Sequence, residues 1–428
     1  MASAVSAALP PLKKQNEVVQ SFGGMDILRK VLTFLEKGTQ IFLTFRGLET
    51  DDRVEQLEQH LIHQPVVTLK DIYVWETLKG RSIAEFEPDD PQIAFTKRIR
   101  HLDLTPFNEE PAVNDDQAMI YLKRFTELHS LNLGHTQIGN QTVSHLAHNF
   151  PDMQRLSLNY CQGITSSTLM QTLLRKHQKL VAVGLSGIDA VGDTAVVMLV
   201  RNNPALAHLE LEDTSITDNG VLAIRKLENT LTYLNISENA AITDLGVGFA
   251  LRLPNLKTLL MRDLNETHTP ASMEVSLQLA TCTQLEEIVF NRDLYTDSVV
   301  RQMALKFPHL KDFRMDNDIV TDDTSYLVLQ TCHEIATLNL RHYLINDQMI
   351  GLITQLPHLA SLNLSYNDIT LEQVYAILQN PSLEHVTLAD TFPQAQLMEH
   401  FPHITFEFVT EIFPQEIDAI NFQEGIQE

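Results

Sequence analysis

The chain of 428 residues is 44% hydrophobic and 20% charged, a balance that supports a large folded core and excludes a disordered polymer. Lys and Arg total 31 against 55 Asp and Glu, for a formal charge of -24, so nucleic acid and anionic membranes are repelled and proteins are the expected partners. Cys161, Cys282 and Cys332 are far apart and odd in number, which excludes a disulfide framework or a Cys-x-x-Cys metal site and fits a cytoplasmic chain.

Residues 1–21, rich in Ala, Ser, Pro and Lys, read as a flexible N-terminal arm. Their short apolar stretch has no basic segment ahead of it, so no secretory leader is expected. No run approaches the roughly 20 apolar residues of a membrane helix, so no membrane insertion is expected. Residues 22–92 read as a helical N-terminal region. Ile27, Leu28, Val31, Leu32 and Leu35 form one apolar helix stripe there, which suits a cap on the structure that follows.

From residue 93 to 410 the chain is dominated by one phrase, L-x-x-L-x-L. It starts at Ile99, Leu128, Met153, Leu180, Leu206, Leu231, Leu256, Leu285, Leu310, Ile335, Leu359 and Leu383, with a frayed copy, HITFEF, at His403. A period of about 20–29 residues with this phrase identifies about 12–13 leucine-rich repeats. Alternate side chains of an extended segment share a face, so the fourth and sixth positions enter the core and the fifth points out. Each repeat then supplies one short strand and an outer helix, and parallel stacking satisfies the strand hydrogen bonds. The expected fold is an α/β solenoid, a horseshoe of stacked parallel strands and outer helices with an α-helical N-terminal cap. Leu131, Leu156, Leu209, Leu234, Leu338 and Leu362 should be buried.

After the strand a Thr-Asp pair recurs, in ITDNG, ITDLG, YTDSV and VTDDT. The Thr reads as a helix N-cap and the Asp as a first-turn partner of the helix dipole. Before the next strand come FPDM, LPNL, FPHL, LPHL and NPSL, with TCTQL and TCHEI in two repeats. Proline ends the helix there, and Cys282 and Cys332 fill the slot of Phe150, Leu253, Phe307 and Leu356 as small buried residues.

These two phrases together resemble the cysteine-containing leucine-rich repeats of F-box/LRR proteins, over about residues 99–408. The resemblance implies a repeat face that binds a protein to be ubiquitylated, and an F-box that docks on Skp1 and through it on a cullin. MDILRKVLTFLEKG, from Met25, is similar to the first half of an F-box, which would make Ile27, Leu28, Val31, Leu32 and Leu35 the Skp1-docking residues. VWETL at Val74 is similar to the tryptophan-bearing phrase that joins an F-box to its repeats. Gly23 and Gly24 depart from the Leu-Pro that opens the motif, and Arg46-Gly47 from its Val-Cys. An F-box-like adaptor contact and a plain helical cap both remain open here.

Enzyme signatures are absent: VGLSGID lacks the last glycine of a nucleophile elbow, LGVGFAL lacks the third glycine of a dinucleotide fingerprint, and no Walker sequence or H-E-x-x-H occurs. No catalytic residue, cofactor or metal is expected, and the chain reads as a non-enzymatic protein-binding protein. The residues between the leucines line the inner, concave wall of the stack, small and polar in the first repeats and charged in the middle ones. Glu210, Glu212, Tyr233, Arg262, Arg292, Arg314 and Arg341 occupy or flank the outward fifth position, and Arg and Tyr are favoured interface anchors. The expected function is recognition of a protein on this face, either as a substrate receptor of a cullin ubiquitin ligase or as a scaffold without ligase. Residues 411–428 form an acidic tail that also resembles the export signals of type IV secreted bacterial effectors. That resemblance implies a protein delivered into a host cell cytosol.

Overall fold

The computed structural model describes residues 50–106, 113–169, 174–264, 268–314, 321–340 and 345–410. The arm, the stripe Ile27, Leu28, Val31, Leu32 and Leu35, Arg341 and the tail 411–428 lie outside the described residues. The chain divides into two compact units, ending and beginning at Gly163 and Ile164.

The first unit opens with helices Thr50–His63 and Leu69–Lys79. Thr68 and Asp71 form a capping box at the start of the second helix, and Gly80, at a φ of 69°, ends it in the left-handed conformation. Trp75 is fully buried. Its ring lies 5.8 Å from Phe86 and 5.3 Å from Phe95, and its indole N–H donates to Glu58 Oε1 at 2.8 Å. The tryptophan of VWETL is thus the centre of the helical region's own core. This region also holds an unforeseen strand, β1 (Val67–Thr68), which pairs in parallel with β2 (His101–Asp103); two residues are too few to show a period of two. Strands β3 (Ser130–Asn132) and β4 (Arg155–Ser157) follow in the same sheet.

The second unit repeats the pattern. Strands β5 (Ala182–Gly184), β6 (His208–Glu210), β7 (Tyr233–Asn235), β8 (Thr258–Leu260) and β9 (Glu287–Val289) pair in parallel in chain order. So do β10 (Asp312–Arg314), β11 (Thr337–Asn339), β12 (Ser361–Asn363), β13 (His385–Ala389) and β14 (Thr405–Val409). Register aligns the fourth position of paired repeats, as in Leu209, Leu234, Leu259 and Ile288. The six leucines expected inside are at most 2% exposed. In β6 and β12 the strand neighbours of the central leucine face outward. The architecture is an α/β leucine-rich-repeat solenoid.

The Thr-Asp pairs do more than cap their own helices. Thr217, Thr243 and Thr296 accept N-cap hydrogen bonds, whereas Thr321 makes none with its side chain. The Asp of one repeat instead receives the Thr of the next. Thr217 donates its N–H and Oγ1–H to Asp193 at 2.8 and 2.6 Å, Thr243 to Asp218 at 2.8 and 2.7 Å, and Thr321 to Asp297 at 2.7 Å for both. The glycine of ITDNG follows from this link: a Cβ on Gly220 would stand 2.6 Å from Asp193 Oδ1, and Gly246 is similarly placed against Asp218.

The slot before the proline is buried as expected. Phe150, Leu253, Phe307 and Leu356 fill it with Cys282 and Cys332, and burial pushes both thiols up to about 12. Asn203 and Asn380 also occupy it, 1% exposed, and bond to backbone: Asn203 accepts from Leu180 N–H at 2.9 Å, and Asn380 donates to Ile353 and Leu356 carbonyls at 3.0 Å. A buried amide is tolerated when so satisfied.

Candidate functional site

Two residues after the sixth position the backbone turns left-handed. His135, Tyr160, Asp213, Glu238, Asp263 and Tyr366 have φ between 49° and 60°, and Gly187 has 67°. Such angles are uncommon for side chains larger than glycine. Bonds to the next repeat hold them: Asp213 N–H donates to Ser237 O at 3.0 Å and Glu238 N–H to Arg262 O at 2.7 Å. Beneath this turn Asn239 donates to the carbonyls of Leu211, Ile236 and Ser237 and accepts from Thr214. Asn367 repeats the arrangement with Leu340 and Leu364.

The outward face of β6–β9 sits on this scaffold. The His208 and Tyr233 rings stack with centroids 3.9 Å apart and planes 16° from parallel, while His208 Nε2 meets Glu210 Oε1 at 2.6 Å. Glu212 Oε2 accepts from Asn235 Nδ2 at 2.7 Å. Glu210 and Glu212 are therefore already engaged with neighbours on the face. Asp213, Glu238 and Asp263 stand exposed at equivalent turns of three successive repeats. Burial, then the charge of Glu212, its hydrogen bond, and the charges of Asp213 and Asp263, raise the Glu238 carboxyl above its ordinary range. The Tyr233 phenol is pushed up to about 12, first by burial and then by Glu210, Glu287 and Glu212, with Arg262 opposing them.

At the centre lie two residues that the repeat pattern did not single out. Leu260 and Val289 occupy the outward fifth position of β8 and β9, pair in register and are half-buried. The same position is Glu210 in β6 and Asn235 in β7, and Asn or Thr in β11–β13. Their signal was the second apolar residue in LKTLLM and LEEIVF, hidden because it sits among core residues. Arg262 is exposed, and among the described residues no carboxylate lies within ion-pair distance of it. Arg292 begins the 3-10 turn Arg292–Leu294 after β9, and Arg314 ends β10. The structure thus brings Glu210, Glu212, Tyr233 and Arg262 onto one face.

The remaining candidates for chemistry resolve as structure. Ser186 of VGLSGID is buried, and its Oγ accepts from Glu212 N–H at 3.1 Å. A groove beside β12–β14 lined by His358, His385, His403 and Glu384 holds no metal arrangement; among the described residues no group of three or more His, Cys, Asp or Glu could hold one. Among the described residues no helix is long and apolar enough to cross a membrane.

A family model described as "Leucine Rich repeat" matches residues 229–248 and 355–378. Over 96% of its length the chain is similar to a chain in the crystal structure of the yeast Rad7 and Elc1 complex. There the identity is 15%, the coverage of that chain 100% and the TM-score 0.50. It is also similar to an internalin from Listeria monocytogenes, at 17% identity over 70% of this chain and 82% of that one, with a TM-score of 0.40. In the TLR13–ssRNA13 complex the identity is 18% over 68% of this chain and 43% of that one, with a TM-score of 0.43. With the ladders described above, the repeat match defines a leucine-rich-repeat protein.

Proposed function

We propose that the chain is a non-catalytic protein-binding protein that takes its partner on the outward strand face. Glu210, Glu212, Tyr233, Arg262, Arg292, Arg314 and Arg341 are the proposed contacts, to which Leu260 and Val289 are added. The observation that carries this reading is the outward pair Leu260 and Val289 beside the Tyr233–His208 stack. Apolar side chains at positions that the same fold fills elsewhere with Asn or Thr are not required by the core, and an apolar centre within a charged rim is the anatomy of a protein interface.

A photo-crosslinking residue at position 260, compared with one at the exposed helix position Leu222, tests this. Discrete adducts to a protein from position 260 and none from 222 support it. Equal labelling at both sites, or none at 260, overturns it. Docking on Skp1 through Ile27, Leu28, Val31, Leu32 and Leu35 is the finer reading, which would make the partner a ubiquitylation substrate. A complex with purified Skp1 that is lost in Ile27→Ala, Leu28→Ala, Leu35→Ala supports it. A folded chain that forms no such complex leaves a scaffold, or an effector that binds a host protein without ligase.

A further inference from the structure

Resting on that reading of the strand face, we infer that its partner is a basic, amphipathic protein segment: apolar side chains seat on Leu260, Val289 and the Tyr233 ring, and Arg or Lys reaches Asp213, Glu238 and Asp263. The register sets the layout. Leu260 and Val289 are directly opposed on β8 and β9, and Asn235 opposite Leu260 keeps Tyr233 on the adjacent strand. The three carboxylates follow β6, β7 and β8 at equivalent turns, about 10 Å beyond the strand ends along the chain.

Charge selects the occupant. Like charges at equivalent turns of neighbouring repeats repel, and burial, then crowding with Glu212, Asp213 and Asp263, raises the Glu238 carboxyl. Folding does not require them, because Gly187 and Tyr366 adopt the same left-handed turn without a carboxylate. A cation bound across this row relieves the repulsion, whereas an acidic segment adds to it. Among the described residues Arg262 is an exposed cation beside this row, one positive charge against the three carboxylates Asp213, Glu238 and Asp263. The apolar pair then distinguishes a built surface from general attraction to an acidic chain, because polycations alone gain nothing from Leu260 and Val289.

The test uses the full chain and three labelled peptides in a Gly-Ser background: one with leucines and arginines, one with the arginines replaced by glutamates, and one with the leucines replaced by serines. Fluorescence anisotropy is read with the wild type, with L260S/V289S, with D213N/E238Q/D263N, and with a control, E228Q/E274Q/E372Q, that removes the same charge elsewhere. The Arg-Leu peptide should bind wild type and control alike and lose about tenfold or more on either patch variant. The serine peptide should bind more weakly, and the glutamate peptide weakest of all. Each variant is melted first. If L260S/V289S melts low, the three carboxylate substitutions, all at exposed positions, decide the outcome alone. The inference is overturned if the control weakens binding as much as the patch variant, if the glutamate peptide binds as well, or if the Arg-Leu peptide does not bind. A partner that crosslinks at position 260 while the Arg-Leu peptide fails would keep the face and discard its basic occupant. Failure at position 260 would discard the face itself.

Discussion

The faces of β6–β9 and β11–β13 are built on the same repeat and differ only in what they present. In β6–β9 the outward positions carry the His208–Tyr233 stack, Glu210, Glu287, Leu260 and Val289. In β11–β13 they carry Thr337, Asn339, Ser361, Asn363, His385 and Thr387, and Asn363 Oδ1 serves the fold by accepting from Ser365 N–H at 2.9 Å and Oγ–H at 2.7 Å. Beneath both, the central leucines are buried alike. The contrast separates two kinds of residue. What recurs in both regions holds the solenoid, and what differs is available for recognition.

The sharpest test of that separation is the core. Leu234→Ala in β7 and Leu362→Ala in β12 should each destabilise by about 2–5 kcal/mol, and equal losses of melting temperature are expected because the two sites are equivalent. A large loss at one and almost none at the other would break the comparison. Next comes the asparagine beneath the turn. Asn239→Ala leaves three carbonyls without their donor in a site 1% exposed, so about 1–3 kcal/mol is expected from chemical denaturation. Asn367→Ala should cost less, because Asn367 is only half-buried.

Smaller again is the carboxylate link between repeats. Burial works to raise the Asp297 carboxyl, but hydrogen bonds from Thr321 and Thr324, with Arg301 nearby, outweigh it and hold the group below its usual range. A carboxylate held low gives stability that is fully present above the ordinary value of about 4. That stability is lost as pH falls through the lower folded value. Asp297→Asn should therefore lower the melting temperature at neutral pH and narrow the gap between neutral and acid melts. An unchanged gap would show that the link contributes nothing. In the β11–β12 region Asp347 instead accepts from Gln373 Nε2 at 3.0 Å, and the same measurement on Asp347→Asn asks whether the Thr form of the link is the stronger one. The smallest effect belongs to Arg262→Ala, which should shift stability by no more than about 0.5 kcal/mol while weakening partner binding. A larger shift in the melt would place Arg262 with the structural residues.

Much of this was legible before any coordinates. Periodicity located the strands, the buried leucines and the helix ends, and Thr217, Thr243 and Thr296 cap as their residue type suggests. Other features were incomplete in the sequence because they depend on the neighbouring repeat. Asp218 and Asp297 read as partners of their own helix dipoles, yet they also bind threonines 25 and 24 positions further on. Leu260 and Val289 hold fifth positions, which the alternation already turns outward, but their pairing side by side came only from the register. The sequence placed Glu210 and Glu212 on the outward face but could not show that His208 and Asn235 engage them.

The sequence by itself determined the repeat, its strand and helix halves and the identity of the buried positions, because these follow from local periodicity and from which side chains leave water. Tertiary structure alone decided which carboxylates stand abreast, which turn is left-handed and which outward apolar side chains stand together. Stacking sets residues from successive repeats beside one another through backbone bonds such as Glu238 N–H to Arg262 O. Whether two charges crowd or pair depends on that register, and no single repeat contains it.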